Sequence, residues 1–402
     1  MRIAVVDDGI NSRAAELQGA NIKVHGGFCL DQGSGAPIPA DSTDPLISQH
    51  GTSVVAMLVG NGQSSDGGPG AQGVAPDAQI DFFATGPVTS KQEEAEGKSK
   101  VCPSEKNADG EFSGDSWESA MNAAASSGAD FVSVSLAGQY LTFKAGMIDA
   151  MKRGVTVVGS ALNPGDDSIG IGAFPAAGNG TLAVNAVGDD AKVIGESAGF
   201  RQEIPIGRPN MGISAPGVGI LSIGADWKPA IENGTSLATP YVTGVLALAA
   251  QKYPKASKNQ LIQALLHTTD DNSHAGKLEW DELFGYGIVS LPDFLGTDPS
   301  SYPDVNPLFV TAPSDPRCKA EDQTSQPSSM EQCAWAKFPT TADISGAPTQ
   351  PSQSAGDTSD NAKENGAQLE LVYAFAVGAL VILGGAVWIF AYSRRRRRSQ
   401  SN

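Results

Sequence analysis

At 402 residues the chain has room for two or three domains, although one large α/β domain of about 300 residues is also an ordinary size. The formal net charge is −17; setting aside the five arginines 394–398 leaves −22 on the remainder, an acidic body that repels nucleic acid and excludes it as a partner. Glycine (47 residues) and proline (25) are plentiful and aromatics are few (6%), as expected of a loop-rich fold packed with small side chains.

Ile3-Ala4-Val5-Val6 reads as a buried strand, and Asp7-Asp8-Gly9 places a carboxylate at its C-terminal end, where sites form in open α/β sheets. The next forty residues are polar and turn-rich until His50-Gly51-Thr52-Ser53-Val54-Val55-Ala56-Met57, a helix start running into an apolar stretch. Residues 60–70 are expected as loop, Gln79–Ala84 as a short strand and residues 85–111 as a solvated polar insert. A helix around Trp117–Ala125 feeds a strand at Phe131–Ser135, and a second such unit follows at Ala145–Lys152 and Val155–Ser160. Helix-then-strand repetition predicts a mostly parallel, doubly wound α/β sheet with helices on both faces. Leu182–Val187 and Ile213–Val218 add further core, and Asn259–Leu266 carries apolar residues at helical spacing.

Gly234-Thr235-Ser236-Leu237-Ala238-Thr239-Pro240 opens a small-residue, apolar helix and sets Ser236 at its N-terminus. Unpaired backbone N–H groups and the positive end of the helix dipole would stabilise an oxyanion there, although a serine in this position is more often a simple cap. A serine hydroxyl needs an imidazole base, and the base needs a carboxylate to fix its tautomer. His50 and Asp7 supply these groups. Of the other histidines, His25 is expected at the surface, and His267 and His274 at a helix end or the surface.

Asp7-Asp8-Gly9, His50-Gly51-Thr52 and Gly234-Thr235-Ser236-Leu237-Ala238-Thr239-Pro240, in that order, resemble the three signatures of the subtilisin-like serine proteases, the subtilase family. Secondary matches are Gly73-Val74-Ala75-Pro76, Ala215-Pro216-Gly217 and Gly285-Tyr286-Gly287-Ile288-Val289, so the resemblance spans about residues 3–295. It implies a peptidase domain over residues 1–295 that cleaves peptide or protein substrates, with Ser236 as nucleophile, His50 as base and Asp7 orienting the ring. Asp8 is the rival carboxylate, but alternation along a strand turns it elsewhere. The resemblance also assigns Ser135, Leu136, Ala137 and Gly138 to one wall of the substrate cleft, and Asn163 to the oxyanion site. Leu162 and Pro164 flank that asparagine where relatives carry other residues. No cofactor is required; calcium is common in the family, but no run of ligands here marks a calcium or other metal site.

Four cysteines show no metal-binding spacing. Pairing Cys29 with Cys102 and Cys318 with Cys333 is one reading, and four free thiols is the other. Residues 296–370 are rich in Pro, Ser and Thr and predict a largely disordered linker. Leu371 to Tyr392 is 22 residues without a charge, enough to cross a hydrocarbon core of about 30 Å as a transmembrane helix. Arg394–Arg398 then place residues 393–402 in the cytoplasm and the catalytic body outside, anchored at the cell membrane. Such a topology calls for an export signal, and none precedes Ile3, so the expectation is that one lies upstream. A subtilase body with a linker and a single anchor is also similar to the mycosins, membrane-bound subtilases of type VII secretion systems. That likeness implies secretion-system membrane proteins as partners and a second reading, a mainly structural component of a secretion complex. An inactive subtilase remnant is the third.

Overall fold

The computed structural model describes residues 1–87, 102–164, 174–195, 211–270, 278–311, 315, 317 and 338–345. The expected membrane span Leu371–Tyr392, the arginines after it, the Cys318 and Cys333 pair and His274 lie outside the described residues.

In chain order, β1 (Arg2–Asp7) and β2 (Ile22–His25) precede α1 (Pro45–Val59), the hairpin of β3 (Asn61–Gln63) and β4 (Pro69–Gln72), and β5 (Gln79–Ala84). A second hairpin, β6 (Glu105–Lys106) with β7 (Phe112–Ser113), leads to α2 (Ser116–Ser126), β8 (Phe131–Val134), α3 (Tyr140–Lys152) and β9 (Thr156–Ser160). Then come β10 (Leu182–Val187), β11 (Met211–Pro216) and the hairpin of β12 (Ile220–Ile223) with β13 (Pro229–Glu232). The helices α4 (Thr235–Lys252), α5 (Lys258–His267), α6 (Leu291–Gly296) and α7 (Thr341–Ser345) follow.

Seven strands pair in parallel in the order β11-β10-β9-β8-β1-β5-β2. Both faces of β1 are buried, which is why its sequence is an unbroken apolar run. Period two divides that run: Ile3 and Val5 join the core shared with α1, α4 and α5, whereas Ala4 and Val6 join the core of α2 and α3. Helices therefore cover both faces, as the sequence predicts. From β1 the chain winds toward the β2 edge and from β8 toward the β11 edge, so the order reverses between these neighbours, the kind of switch point at whose C-terminal end sites form in open α/β sheets.

The helix starts follow local chemistry. Asp44 accepts the Leu46 N–H ahead of Pro45 in α1, Asp115 accepts from Trp117 and Glu118 in α2, and Ser257 with Gln260 forms a reciprocal capping box in α5. Several features depart from the sequence expectations. The stretch 60–70 is a hairpin rather than open loop, its strands of three and four residues too short to show an alternating pattern, and β2 joins the sheet edge from within a polar segment. His25, expected at the surface, is half-buried, stacked on Phe83 at 4.3 Å and hydrogen-bonded to buried Asp81. Past residue 295, where a disordered linker is expected, Leu308 and Val310 are buried. Asn179, just ahead of β10, accepts from the Val310 N–H and donates to the Val310 and Pro339 carbonyls, while Gln263 of α5 donates to the Val305 carbonyl. Buried amide groups that find main-chain partners hold this segment against the domain despite its composition. Cys29 and Cys102 are bonded across 73 residues, and among the described residues no cysteine is free.

Candidate active site

Asp7 ends β1 with its side chain fully buried. It shares the parity of Ile3 and Val5 and so faces α1, where His50 is the sixth residue. The His50 Nδ1 lies 2.7 Å from Asp7 Oδ1. A carboxylate only accepts, so Nδ1 carries the proton and Nε2 is directed away from Asp7. The approach depends on residue 51 being glycine: a Cβ there would sit 2.3 Å from the Gly9 carbonyl oxygen and 2.9 Å from the Phe82 ring. Thr52 completes the junction by accepting the Asn11 N–H at 2.8 Å and donating to the Ser48 carbonyl, which ties the loop after β1 to the helix.

Asp8 does not bond the ring. Its Oδ1 accepts the N–H groups of Gly9 and Gly51 at 2.6 and 3.0 Å, pinning the backbone on either side of the pair. Burial raises the Asp8 carboxyl well above the usual carboxylate range, with the neighbouring charge of Asp7 adding to the effect. On His50, burial favours the neutral ring, but the charge of Asp7, the hydrogen bond to it and the charges of Asp8 and Glu232 outweigh that and push the imidazole up to about 9. Glu232 is itself raised by burial, against the pull of His50 and of Gln49, whose amide approaches its carboxylate at 3.3 Å. Glu232 stands four residues before Ser236, so β13 brings the serine segment to the histidine end of α1. Nothing in the sequence around Gln49 or Glu232 marks them for this place.

Ser236 is the second residue of α4. Gly234 occupies the cap position and no side chain caps the helix, so the simple-cap reading of Ser236 does not hold. A Cβ on residue 234 would come within 2.9 Å of the Ser236 hydroxyl and would displace it. Pro240 is the sixth residue of α4, inside the helix. Among the described residues no hydrogen bond joins the Ser236 hydroxyl to the His50 ring. Asn163, beyond the end of β9, turns its carbonyl oxygen toward Thr235 and accepts its N–H at 3.0 Å, while the Thr235 hydroxyl donates to the Ala161 carbonyl at 2.6 Å; Leu162 is buried. The Asn163 amide nitrogen is thereby directed away from Thr235.

The stretch after β8 divides into different roles. Ser135 is buried and its hydroxyl donates to the Ser236 carbonyl at 2.9 Å. Leu136 is buried and Ala137 is half-buried. Gly138 exchanges both main-chain hydrogen bonds with Phe174, at 2.9 and 3.0 Å, so its backbone is not open to an added substrate strand as expected. Asp7, Asp8 and His50 are the cluster of potential metal ligands among the described residues, but the hydrogen bonds already described engage them with one another and the backbone.

A model of the subtilase family matches residues 1–287. The thermostable alkaline protease of Halalkalibacterium halodurans is 34% identical over 140 residues, 35% of this chain and 34% of that protein. Fervidolysin of Fervidobacterium pennivorans is 29% identical over 307 residues, 72% of this chain and 40% of fervidolysin. The chain thus spans well under half the length of these two relatives. The fervidolysin crystal structure superposes with a TM-score of 0.52 at 26% identity, covering 74% of this chain and 42% of that one. MycP1 with its propeptide removed gives 0.52 at 20% identity, covering 76% of this chain and 93% of MycP1, a likeness of fold. With a parallel sheet of this order, an aspartate–histidine pair at its C-terminal edge and a family match over most of its length, the chain belongs to the subtilase family of serine proteases.

Proposed function

We propose that the protein is a serine endopeptidase acting through Asp7, His50 and Ser236. The observation that carries the reading is the 2.7 Å hydrogen bond between buried Asp7 and His50 Nδ1, which commits Nε2 to the opposite side of the ring. In this mechanism the Ser236 Oγ attacks the peptide carbonyl carbon as its proton passes to His50 Nε2, and Asp7 stabilises the imidazolium. The negative charge on the carbonyl oxygen is met by N–H groups of the first turn of α4 and by the Asn163 amide. His50 then returns the proton to the departing amine, leaving an acyl-serine that water hydrolyses by the same proton relay. Backbone of the Ser135–Ala137 stretch offers the substrate an edge to pair with.

The composition of Leu371–Tyr392 and Arg394–Arg398 supports a single C-terminal anchor with the catalytic body outside the cell membrane. A fluorophosphonate probe tests the enzyme reading. The full chain should be labelled and should cleave an unfolded protein substrate, and Ser236→Ala should remove the label and reduce turnover by roughly 10⁶-fold. Labelling that survives Ser236→Ala would overturn it. Protease shaving of intact cells tests the topology: the body is lost and an epitope placed after Arg398 is kept.

A further inference from the structure

Pro240 leaves a gap in α4. In an α-helix the N–H of residue 240 would bond the carbonyl of residue 236, but proline has no N–H and its ring crowds that carbonyl. The carbonyl deprived of its partner therefore belongs to Ser236. Side-chain bonds elsewhere in the turn reinforce rather than replace: Thr239 and Thr243 each donate to the carbonyl four residues back, at 2.9 Å. At Ser236 the replacement comes from another element, the buried Ser135 hydroxyl just beyond the end of β8, at 2.9 Å.

We propose that Ser135 is a positioning residue that sets the Ser236 backbone by supplying the donor Pro240 removes. This rests on Ser236 being the nucleophile. β8 lies next to β1 in the sheet, so the same central strands hold Asp7 and, through Ser135, the first turn of α4. The Ser135 side chain thereby serves the enzyme's own helix, and it is not part of the cleft wall.

The test is a double-mutant cycle on the full chain with Ser135→Ala, Pro240→Ala and the pair. Alanine at 240 restores an N–H that can bond the Ser236 carbonyl, so the hydroxyl becomes redundant. Ser135→Ala should slow fluorophosphonate labelling about tenfold when residue 240 is proline and less than twofold when it is alanine, the scale of one buried hydrogen bond. With a peptide substrate the loss should fall on kcat, with KM within twofold; a rise in KM at constant kcat would return Ser135 to the cleft wall. The same cycle read by thermal unfolding needs no activity. It should show Ser135→Ala destabilising only with proline at 240. A wild-type chain that is never labelled would refute the proposed function, and the unfolding cycle would still decide the bond. Equal effects of Ser135→Ala in both backgrounds, in labelling or in unfolding, would overturn the inference.

Discussion

Two aspartate–histidine pairs sit on opposite faces of the same sheet. Asp7 meets His50 on the α1 side at 2.7 Å, and Asp81 meets His25 on the α2 side at 2.8 Å; both carboxylates are fully buried. Their other bonds differ. Asp81 spends its second oxygen on Arg2, at 3.2 Å to Nε and 2.8 Å to Nη2, and His25 is closed off by stacking on Phe83. Asp7 Oδ2 has no hydrogen-bond partner among the described residues, and the His50 ring remains partly exposed. An Asp–His hydrogen bond is thus not in itself a catalytic feature. A guanidinium that completes the carboxylate makes it a structural ion cluster, whereas an open far side of the ring leaves a base able to exchange a proton.

The largest expected effect separates the pairs directly. Asp7→Asn should lower kcat by about 10⁴-fold, because the amide favours the wrong ring tautomer, with little change in fold. Asp81→Asn should leave kcat within a few-fold but cost roughly 3 kcal/mol of stability, since it strips the buried carboxylate from the Arg2 guanidinium and the His25 ring. Parallel turnover and denaturant-unfolding measurements check both. Similar kinetic losses in the two variants would erase the distinction.

The pairs should also respond to pH with opposite sign. His50 is raised from its ordinary 6.5 to about 9, so the ring is mostly protonated at neutral pH and cannot accept the serine proton. Fluorophosphonate labelling should therefore climb about tenfold per pH unit at first, roughly fiftyfold from pH 7 to 9, and level above that at about a hundredfold. Glu232→Gln should move the midpoint down. A midpoint at or below 6.5 would mean that burial outweighs the surrounding carboxylates. For stability, a raised histidine contributes fully below 6.5 and loses its contribution as pH rises through 9. Asp81 is the reverse case: burial would raise it, but the hydrogen bonds from His25 and Arg2 and their charges hold it below the usual carboxylate range. Its contribution is present above about 3.9 and is lost as pH falls through the lower folded value. Asp7→Asn should remove the alkaline loss, and Asp81→Asn the acid one.

What the sequence revealed follows the same division. The Asp7–His50 pair and the placing of Ser236 at a glycine-led helix start were legible because each lies in a local pattern, in which Gly51 has its own steric work against Gly9. The parallel sheet was legible from the helix-then-strand repeats. Ser135 donating to Ser236, Thr235 holding Asn163, and Gln49 reaching Glu232 were not, since each joins residues far apart in the chain whose meeting depends on strand order. His25 was misjudged for that reason: a lone histidine in a polar stretch gives no sign that β2 will pair with β5 beside Asp81. The burial of Leu308 and Val310 was not legible for another reason: composition measures how little apolar area a stretch offers and cannot register the amides of Asn179 and Gln263 that await it.

The smallest effect tests how far His25 is structural. His25→Gln keeps a side chain able to donate to Asp81 but gives up the ring stacked on Phe83. The expected cost is about 1 kcal/mol, the size of one aromatic contact beyond area burial, read as a small drop in the unfolding midpoint. Turnover and the pH midpoint of labelling should match wild type, because the ring lies on the face of the sheet opposite His50 and no hydrogen bond leads from Asp81 to Asp7 among the described residues. A shifted labelling midpoint in His25→Gln would show that the two pairs communicate through the adjacent strands β1 and β5, in which Asp81 lies opposite Ala4 and Asp7 opposite Ala84.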